Sequence, residues 1–313
     1  MNTSVPLEPQ SLRVSTLKYV LVTPAKNEEL HIRRTIESVI SQTIRPSKWI
    51  IVDDESTDRT AEIVKEYLSD WKFIELLELK TSSTRHFGKK VAAFNAGLKL
   101  LEGQTYSFIG NLDADISLPA DYYAQVLAKF EQERDLGIAG GAVYTTIGDA
   151  FITGDHAVDS VGGAVQLFRR ECFDQIGGYI ALECGGIDAA AEISARMRGW
   201  RVQKVPQLNV YEHRRTGSAQ AGPLAAKYNL GVRFHSLGYS TVFYILKCIY
   251  RLREKPLVVG GVVSLIGFAH AKIKGRPVCL PPETVAYLRT EQMNKLTYGM
   301  FTKILGSRGF GRG

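Results

Sequence analysis

Short apolar runs alternate with segments of helical period through the first third of the chain. Lys18 to Thr23 is an apolar run closed by Pro24 and predicts a buried strand. Glu28 to Gln42 then spaces Leu30, Ile32, Ile36, Val39 and Ile40 along one helical face. Trp49 to Val52 predicts a second buried strand, ending in Asp53-Asp54-Glu55-Ser56. Ser56 or Thr57 is placed to cap the next helix, whose apolar positions are Ala61, Ile63, Val64, Tyr67 and Leu68. Phe73 to Leu79 predicts a third strand, Lys89 to Leu101 a third helix and Tyr106 to Leu112 a fourth strand. Strand and helix alternating at this spacing predict an α/β fold, a mostly parallel central sheet covered by helices.

Beyond Asp115 the pattern loosens. Tyr122 to Phe130 predicts a helix, Ile138 to Tyr144 a glycine-rich strand, and Ser160 to Phe168 an apolar run that opens Val161-Gly-Gly163. Asp188 to Trp200 has helical period, and Val202 to Val205 reads as a strand. From about Gly222 the character changes. Leu237 to Tyr250 is apolar and aromatic with Lys247 its only charge, and Leu257 to Ala271 runs 15 residues without a formal charge. That is short of the roughly 20 residues a spanning helix needs. The boundaries expected are a disordered arm over residues 1–16, an α/β domain over 17–221, and a helical, basic extension over 222–313.

Open parallel sheets bind ligands at the carboxyl ends of their strands. Thr23-Pro24, Asp53-Asp54 and the pair Asp113 and Asp115 all fall at predicted strand ends. Carboxylates at i and i+2 of an extended chain point the same way, and such a pair repels itself unless a cation lies between. Hard oxygen ligands suit Mg²⁺ or Mn²⁺.

Charge sharpens the division of the chain. Residues 204–313 hold 17 Lys and Arg against 4 Asp and Glu, a balance of +13, and the residues before them a balance of −6. The positive excess of the last third points to a polyanionic partner for that part, and its apolar runs suit an anionic membrane surface better than nucleic acid. No nucleic-acid module is recognisable, so nucleic acid is not an expected partner. The four widely spaced cysteines, with no Cys-x-x-Cys, fit reduced thiols rather than a disulfide or zinc framework, which places the chain in the cytoplasm. No Gly-x-Gly-x-x-Gly follows the first strand, which disfavours a dinucleotide oxidoreductase.

The order Thr23-Pro-Ala-Lys-Asn-Glu-Glu29, Val52-Asp-Asp-Glu-Ser-Thr-Asp58, Lys90-Val-Ala-Ala-Phe-Asn-Ala-Gly97 and Asn111-Leu-Asp-Ala-Asp115 resembles a family 2 glycosyltransferase with the GT-A fold. The resemblance covers roughly Lys18 to Ser218. It implies that Thr23, Pro24 and Glu28 lie where the base and ribose of a nucleotide are held, with Lys26 in place of the usual aromatic. It implies that Asp54 accepts a hydrogen bond from the base, typically uracil, and that Lys90, rather than Lys89, lies near the diphosphate. Asp113 would approach the ribose or the ion, Asp115 would bind the metal, and His213 would complete the metal site. Arg214 and Arg215 are alternative phosphate contacts. Asp188, eleven residues before Gly199-Trp200, matches the catalytic base. Ile187 stands where the family has Glu, which keeps Glu183 and Glu192 open as the functional carboxylate. Val161-Gly-Gly-Ala164 matches a glycine loop that lets backbone approach the donor sugar.

The resemblance thus implies a Mn²⁺- or Mg²⁺-dependent inverting transferase moving one sugar from a nucleotide-sugar donor. The basic, apolar tail points to a saccharide or lipid-linked acceptor, reached with the chain peripheral at the cytosolic face of a membrane. The absence of a Gln-x-x-Arg-Trp signature implies one sugar per encounter. A binding scaffold that holds a nucleotide sugar without turning it over is the competing reading, and Ile187 is its support.

Overall fold

The computed structural model describes residues 17–80, 88–147, 150–152, 157–183, 185–214, 222–250 and 258–306. The arm expected over residues 1–16, Arg215 and the charged stretch 251–255 lie outside the described residues. The chain divides into two compact units, residues 1–183 with 187–216, and residues 184–186 with 217–313.

In the first unit the strands are β1 (Tyr19–Ala25), β2 (Lys48–Asp53), β3 (Ile74–Glu78), β4 (Phe108–Asn111), β5 (Ile116–Ser117), β6 (Leu136–Ile147), β7 (Ala150–Ile152), β8 (Leu167–Arg169) and β9 (Arg201–Glu212). Its helices are α1 (Ile32–Ile40), α2 (Thr60–Lys65), α3 (Lys89–Lys99), α4 (Tyr122–Gln132), α5 (Arg170–Ile176) and α6 (Ile187–Met197). The sheet order is β3-β2-β1-β4-β8-β6-β9-β5, with β7 on β6. The β3-β2-β1-β4 half is wholly parallel, as the alternation predicts. The far half mixes directions, with β8 antiparallel to β4 and β6, and β9 parallel to β6.

Period-2 alternation builds a core on each face of the parallel half. Tyr19, Leu21, Trp49 and Ile51 pack with Ile32, Ile36 and Val39 of α1 and with Val126 of α4. Val20, Val22, Ile50 and Val52 pack with Val91 and Phe94 of α3. Three local expectations are corrected. Strand β1 runs through Pro24 to Ala25, because β4 pairs with it only as far as Val22 and the missing N–H forfeits no ladder bond. Leu30 lies ahead of α1 and is 82% exposed. Neither Ser56 nor Thr57 caps α2. The Asp58 carboxylate accepts from the Thr60 N–H at 3.0 Å and from the Glu29 N–H at 3.0 Å, tying the α2 entry to the chain after β1.

A buried polar network fixes the loop before β8. Glu192 of α6 accepts from the Val161 N–H at 2.6 Å and from Gln166 Nε2 at 3.3 Å. Gln166 Nε2 also reaches the Val161 carbonyl, and the Tyr179 hydroxyl donates to Gln166 Oε1 at 2.9 Å. Burial pushes the Glu192 carboxyl up to about 7, outweighing the Val161 N–H that favours its charged form.

The second unit is helical: α7 (Gly222–Ser236), α8 (Thr241–Tyr250), α9 (Val259–Ile273) and α10 (Pro282–Gly306). Helices α7 and α9 cross at bare backbone. A Cβ on Gly231 would lie 1.9 Å from the Ser264 carbonyl oxygen, and one on Gly267 would lie 2.2 Å from that of Tyr228. Tyr244 of α8 stacks on Phe268 at 4.5 Å and hydrogen-bonds Ser264 at 2.6 Å. Among the described residues no helix is long and apolar enough to cross a membrane. No disulfide joins Cys172, Cys248 or Cys279.

Two outcomes are expected. A Cβ at Gly141 of β6 would meet the Leu208 carbonyl oxygen at 2.3 Å, so Gly141→Ala should lower unfolding free energy by about 3 kcal/mol in denaturant titration. The raised Glu192 group binds a proton more tightly folded than unfolded. Its stabilisation is therefore full below about pH 4.5 and is lost as pH rises through about 7. Melting of wild type across that window should show a steeper fall in stability than melting of Glu192→Gln.

Candidate active site

Parallel pairing brings the carboxyl ends of β1, β2 and β4 to one edge. Ala25 lies beside Asp53, and Val22 beside Asn111. The residues that follow these strands, Lys26 to Glu28, Asp54 and Asp113 to Asp115, therefore share that edge. Asp54 keeps 16% of its side chain accessible, and its carbonyl accepts from Lys26 Nζ at 2.8 Å. Lys26 thus lies against Asp54 where the resemblance has an aromatic. Pro24 is half-buried.

Thr23 does not face this edge. Its side chain is fully buried on the α1 side of the sheet, where its hydroxyl accepts from Trp49 Nε1 at 2.9 Å. That bond links β1 to β2, and it leaves Thr23 without a surface to offer a ligand.

The acidic pair splits into two environments. Asp113 is ion-paired to Lys90 Nζ at 2.5 Å and accepts from Asn111 Nδ2 at 2.9 Å. Lys89 instead lies 3.8 Å from Glu55. Asp115 is buried, and burial together with the charges of Asp113, Glu212 and Glu28 pushes its carboxyl up to about 8. Glu28 is raised too, first by burial, against the opposing pull of Arg214. Arg214 pairs with Glu28 Oε1, while Glu28 Oε2 is buried without a partner. Neighbouring carboxylates, one raised by its like-charged neighbours and one with a buried unpartnered oxygen, are donor chemistry that suits a hard divalent cation.

His213 is not aimed into that cluster. Its Nδ1 accepts from Arg34 at 2.8 Å, which puts the proton on Nε2, and Nε2 donates to Ser117 Oγ at 2.7 Å. Burial, then Arg34 and His31, pull its pKa down to about 4, so the ring is neutral at physiological pH. Its N–H donates to the Asp115 carbonyl at 2.9 Å, so His213 holds the Asp115 backbone while its ring holds Arg34 and Ser117. Among the described residues no three His, Cys, Asp or Glu groups converge as a ready ion cage. A ring ligand at His213 would require Arg34 to give up Nδ1.

Asp188 sits in the first turn of α6, half-buried, with its side chain on Gly163. A Cβ at Gly163 would lie 3.0 Å from Asp188 Cβ and 3.1 Å from Oδ2, so any larger residue here would press on this carboxylate. Asn111 connects the two ends of the site. Its Nδ2 bonds both Asp113 and, at 2.6 Å, the Gly163 carbonyl. Of the other carboxylates weighed, Glu192 is buried and committed to Val161, and Glu183 is exposed. Asn111 and the Glu192–Gln166–Tyr179 network are the contributors that sequence reasoning missed. For Asn111 the available signal was its position two residues before Asp113, on the same face of the strand.

The model of glycosyl transferase family 2 matches residues 20–186. The chain is 26% identical over 157 residues to glycosyltransferase GlyA of Streptococcus pneumoniae serotype 4, covering 49% of this chain and 21% of that protein. It is 31% identical over 141 residues to chondroitin synthase of Escherichia coli, covering 44% of this chain and 19% of that protein. The chain therefore matches about a fifth of the length of these relatives. The solved structure of mannosyltransferase PcManGT from Pyrobaculum calidifontis, in complex with GDP-Man and Mn²⁺, superposes with a TM-score of 0.53 at 16% identity, covering 94% of this chain and 89% of that one. That likeness shows the GT-A fold. With more than half of its residues inside the family match, the chain belongs to glycosyl transferase family 2.

Proposed function

We propose that this chain is a metal-dependent inverting glycosyltransferase. It moves one sugar from a nucleotide sugar, read as a UDP-sugar, to a saccharide or lipid-linked acceptor in cell-surface glycan synthesis. The observation that carries the reading is the group of carboxylates at the strand ends, where buried Asp115 and the unpartnered Glu28 oxygen lie near Asp113. Family membership supports the reaction class, and the GDP-Man and Mn²⁺ bound to PcManGT agree with a nucleotide-sugar donor and a divalent ion.

In this reading Asp54 and Pro24 border the nucleoside, and Lys90 meets the diphosphate when it releases Asp113. Asp115, with Asp113, would hold Mn²⁺ or Mg²⁺, which when bound neutralises the charge of the departing nucleoside diphosphate. Asp188 takes the proton of the acceptor hydroxyl as its oxygen bonds the anomeric carbon. The bond from that carbon to the phosphate oxygen breaks on the opposite side, which inverts the configuration. Gly163 leaves the Asp188 carboxylate on bare backbone, and Asn111 holds that backbone in register with Asp113. Thr23 is omitted from the donor contacts. The basic last third would bring this site to the cytosolic face of a membrane carrying anionic lipid.

Release of nucleoside diphosphate from UDP- and GDP-sugars, followed with and without Mn²⁺, tests the reading. Wild type should turn over only with metal, and Asp115→Ala and Asp188→Asn should each lose on the order of 10²–10⁴-fold in kcat. Metal-independent turnover refutes the mechanism. Tight donor binding with neither transfer nor slow donor hydrolysis would favour the scaffold reading that Ile187 motivates. Lys90→Ala should weaken donor affinity by roughly tenfold in calorimetry, the loss of one charge-assisted contact.

A further inference from the structure

Helices α8 and α9 carry their side chains the wrong way round for a helix facing water. On α8 only Tyr244 and Cys248 are buried, while Val242, Ile245, Leu246, Ile249 and Tyr250 are exposed. On α9 the buried positions are small ones, Gly260, Gly261, Ser264, Gly267 and Ala271, with Phe268 the only large residue among them. The large aliphatic residues Val259, Val262, Ile266 and Ile273 form an outward stripe at helical spacing, and Ile273 is 83% exposed. A helix in water buries large apolar residues and turns small or polar ones outward. Close packing on glycine, with large apolar residues outside, is the arrangement that hydrocarbon surroundings favour. Singly exposed apolar residues are common, but two adjacent helices with apolar outer faces are not.

Length and charge identify what covers these faces. Helix α9 has 15 residues, so it is about 22 Å long and cannot cross a hydrocarbon core of about 30 Å. Exposed Lys272, Lys274 and Arg276 gather at its carboxyl end. Between residues 222 and 282 nine Lys and Arg stand against a single Glu. A second copy of the chain would bring like charge against like charge, whereas anionic headgroups complement it.

We propose that the outer faces of α8 and α9 insert into one leaflet of an anionic bilayer, a monotopic seat that does not span it. The proposal deepens only the membrane-proximal part of the functional reading and is independent of the donor chemistry.

The test is flotation of the full chain with phosphatidylcholine vesicles, prepared with and without phosphatidylglycerol. Wild type should float with the phosphatidylglycerol vesicles and stay largely behind with phosphatidylcholine alone. Val262→Glu/Ile266→Glu and Ile245→Glu/Ile249→Glu should each weaken binding by on the order of tenfold or more. Both variants change exposed positions, so circular dichroism, melting midpoint and vesicle-free nucleoside diphosphate release should match wild type. The proposal is overturned if wild type stays out of the floating fraction, if it floats equally with neutral lipid, or if the variants float as wild type does. It is also overturned if sedimentation shows a dimer that the variants abolish while flotation is unchanged. Donor turnover failing in every protein while flotation behaves as expected would refute the functional reading and leave this one intact.

Discussion

Like charge gathered at the strand ends is the condition on which the site edge depends. Asp115 is buried among Asp113, Glu212 and Glu28, and the sheet fixes where these groups stand. Asp113 follows β4, Glu212 ends β9 opposite Ile116, and Glu28 follows β1. Of these only Glu212 is itself held in strand pairing, and the others sit in the short connections that leave the strand ends. Among the described residues Lys90 pairs with Asp113 and Arg214 with Glu28. A raised carboxyl and an oxygen without a donor are what remains, and the packing of the rest of the unit sustains that imbalance.

The packing does so because each core face is anchored independently of the site. Trp49 and Thr23 bind β1 to β2 on one side, and α3 covers the other. Turns at the edge are held by side chain to backbone bonds, such as those from Asp58 to Thr60 and Glu29, rather than by burial. The core therefore carries stability, and the edge carries charge whose repulsion the core can absorb.

Periodicity was a sound guide wherever burial follows local pattern. The alternation through residue 112 is the parallel half of the sheet, and the strand-end acids fall where that alternation puts them. It failed where a polar side chain is used inside the protein. Thr23 looks like a strand-end ligand because its hydroxyl is polar, but a strand alternates faces and this one points at Trp49. Glu192 looks like a spare carboxylate, and only the folded chain brings the Val161 N–H to it. His213 stands at the right place in the sequence, yet Arg34, 179 positions away, decides what its ring can do. The tail shows the same limit in another form. Its apolar content is visible in the sequence, but which residues α9 turns outward depends on its glycine crossing with α7, and α8 turns its face on Tyr244 packed against Phe268.

The contact of Asp188 with Gly163 has a consequence for variation in this fold. Beneath that carboxylate the floor is peptide, held by Asn111 on one side and by the Glu192 network on the other. At Gly163 that floor has no side chain to exchange, and a Cβ added there would press on Asp188, so substitution at this position moves the carboxylate above it. Changes in what the site admits are then written more readily into the side chains around this floor than into Gly163 itself.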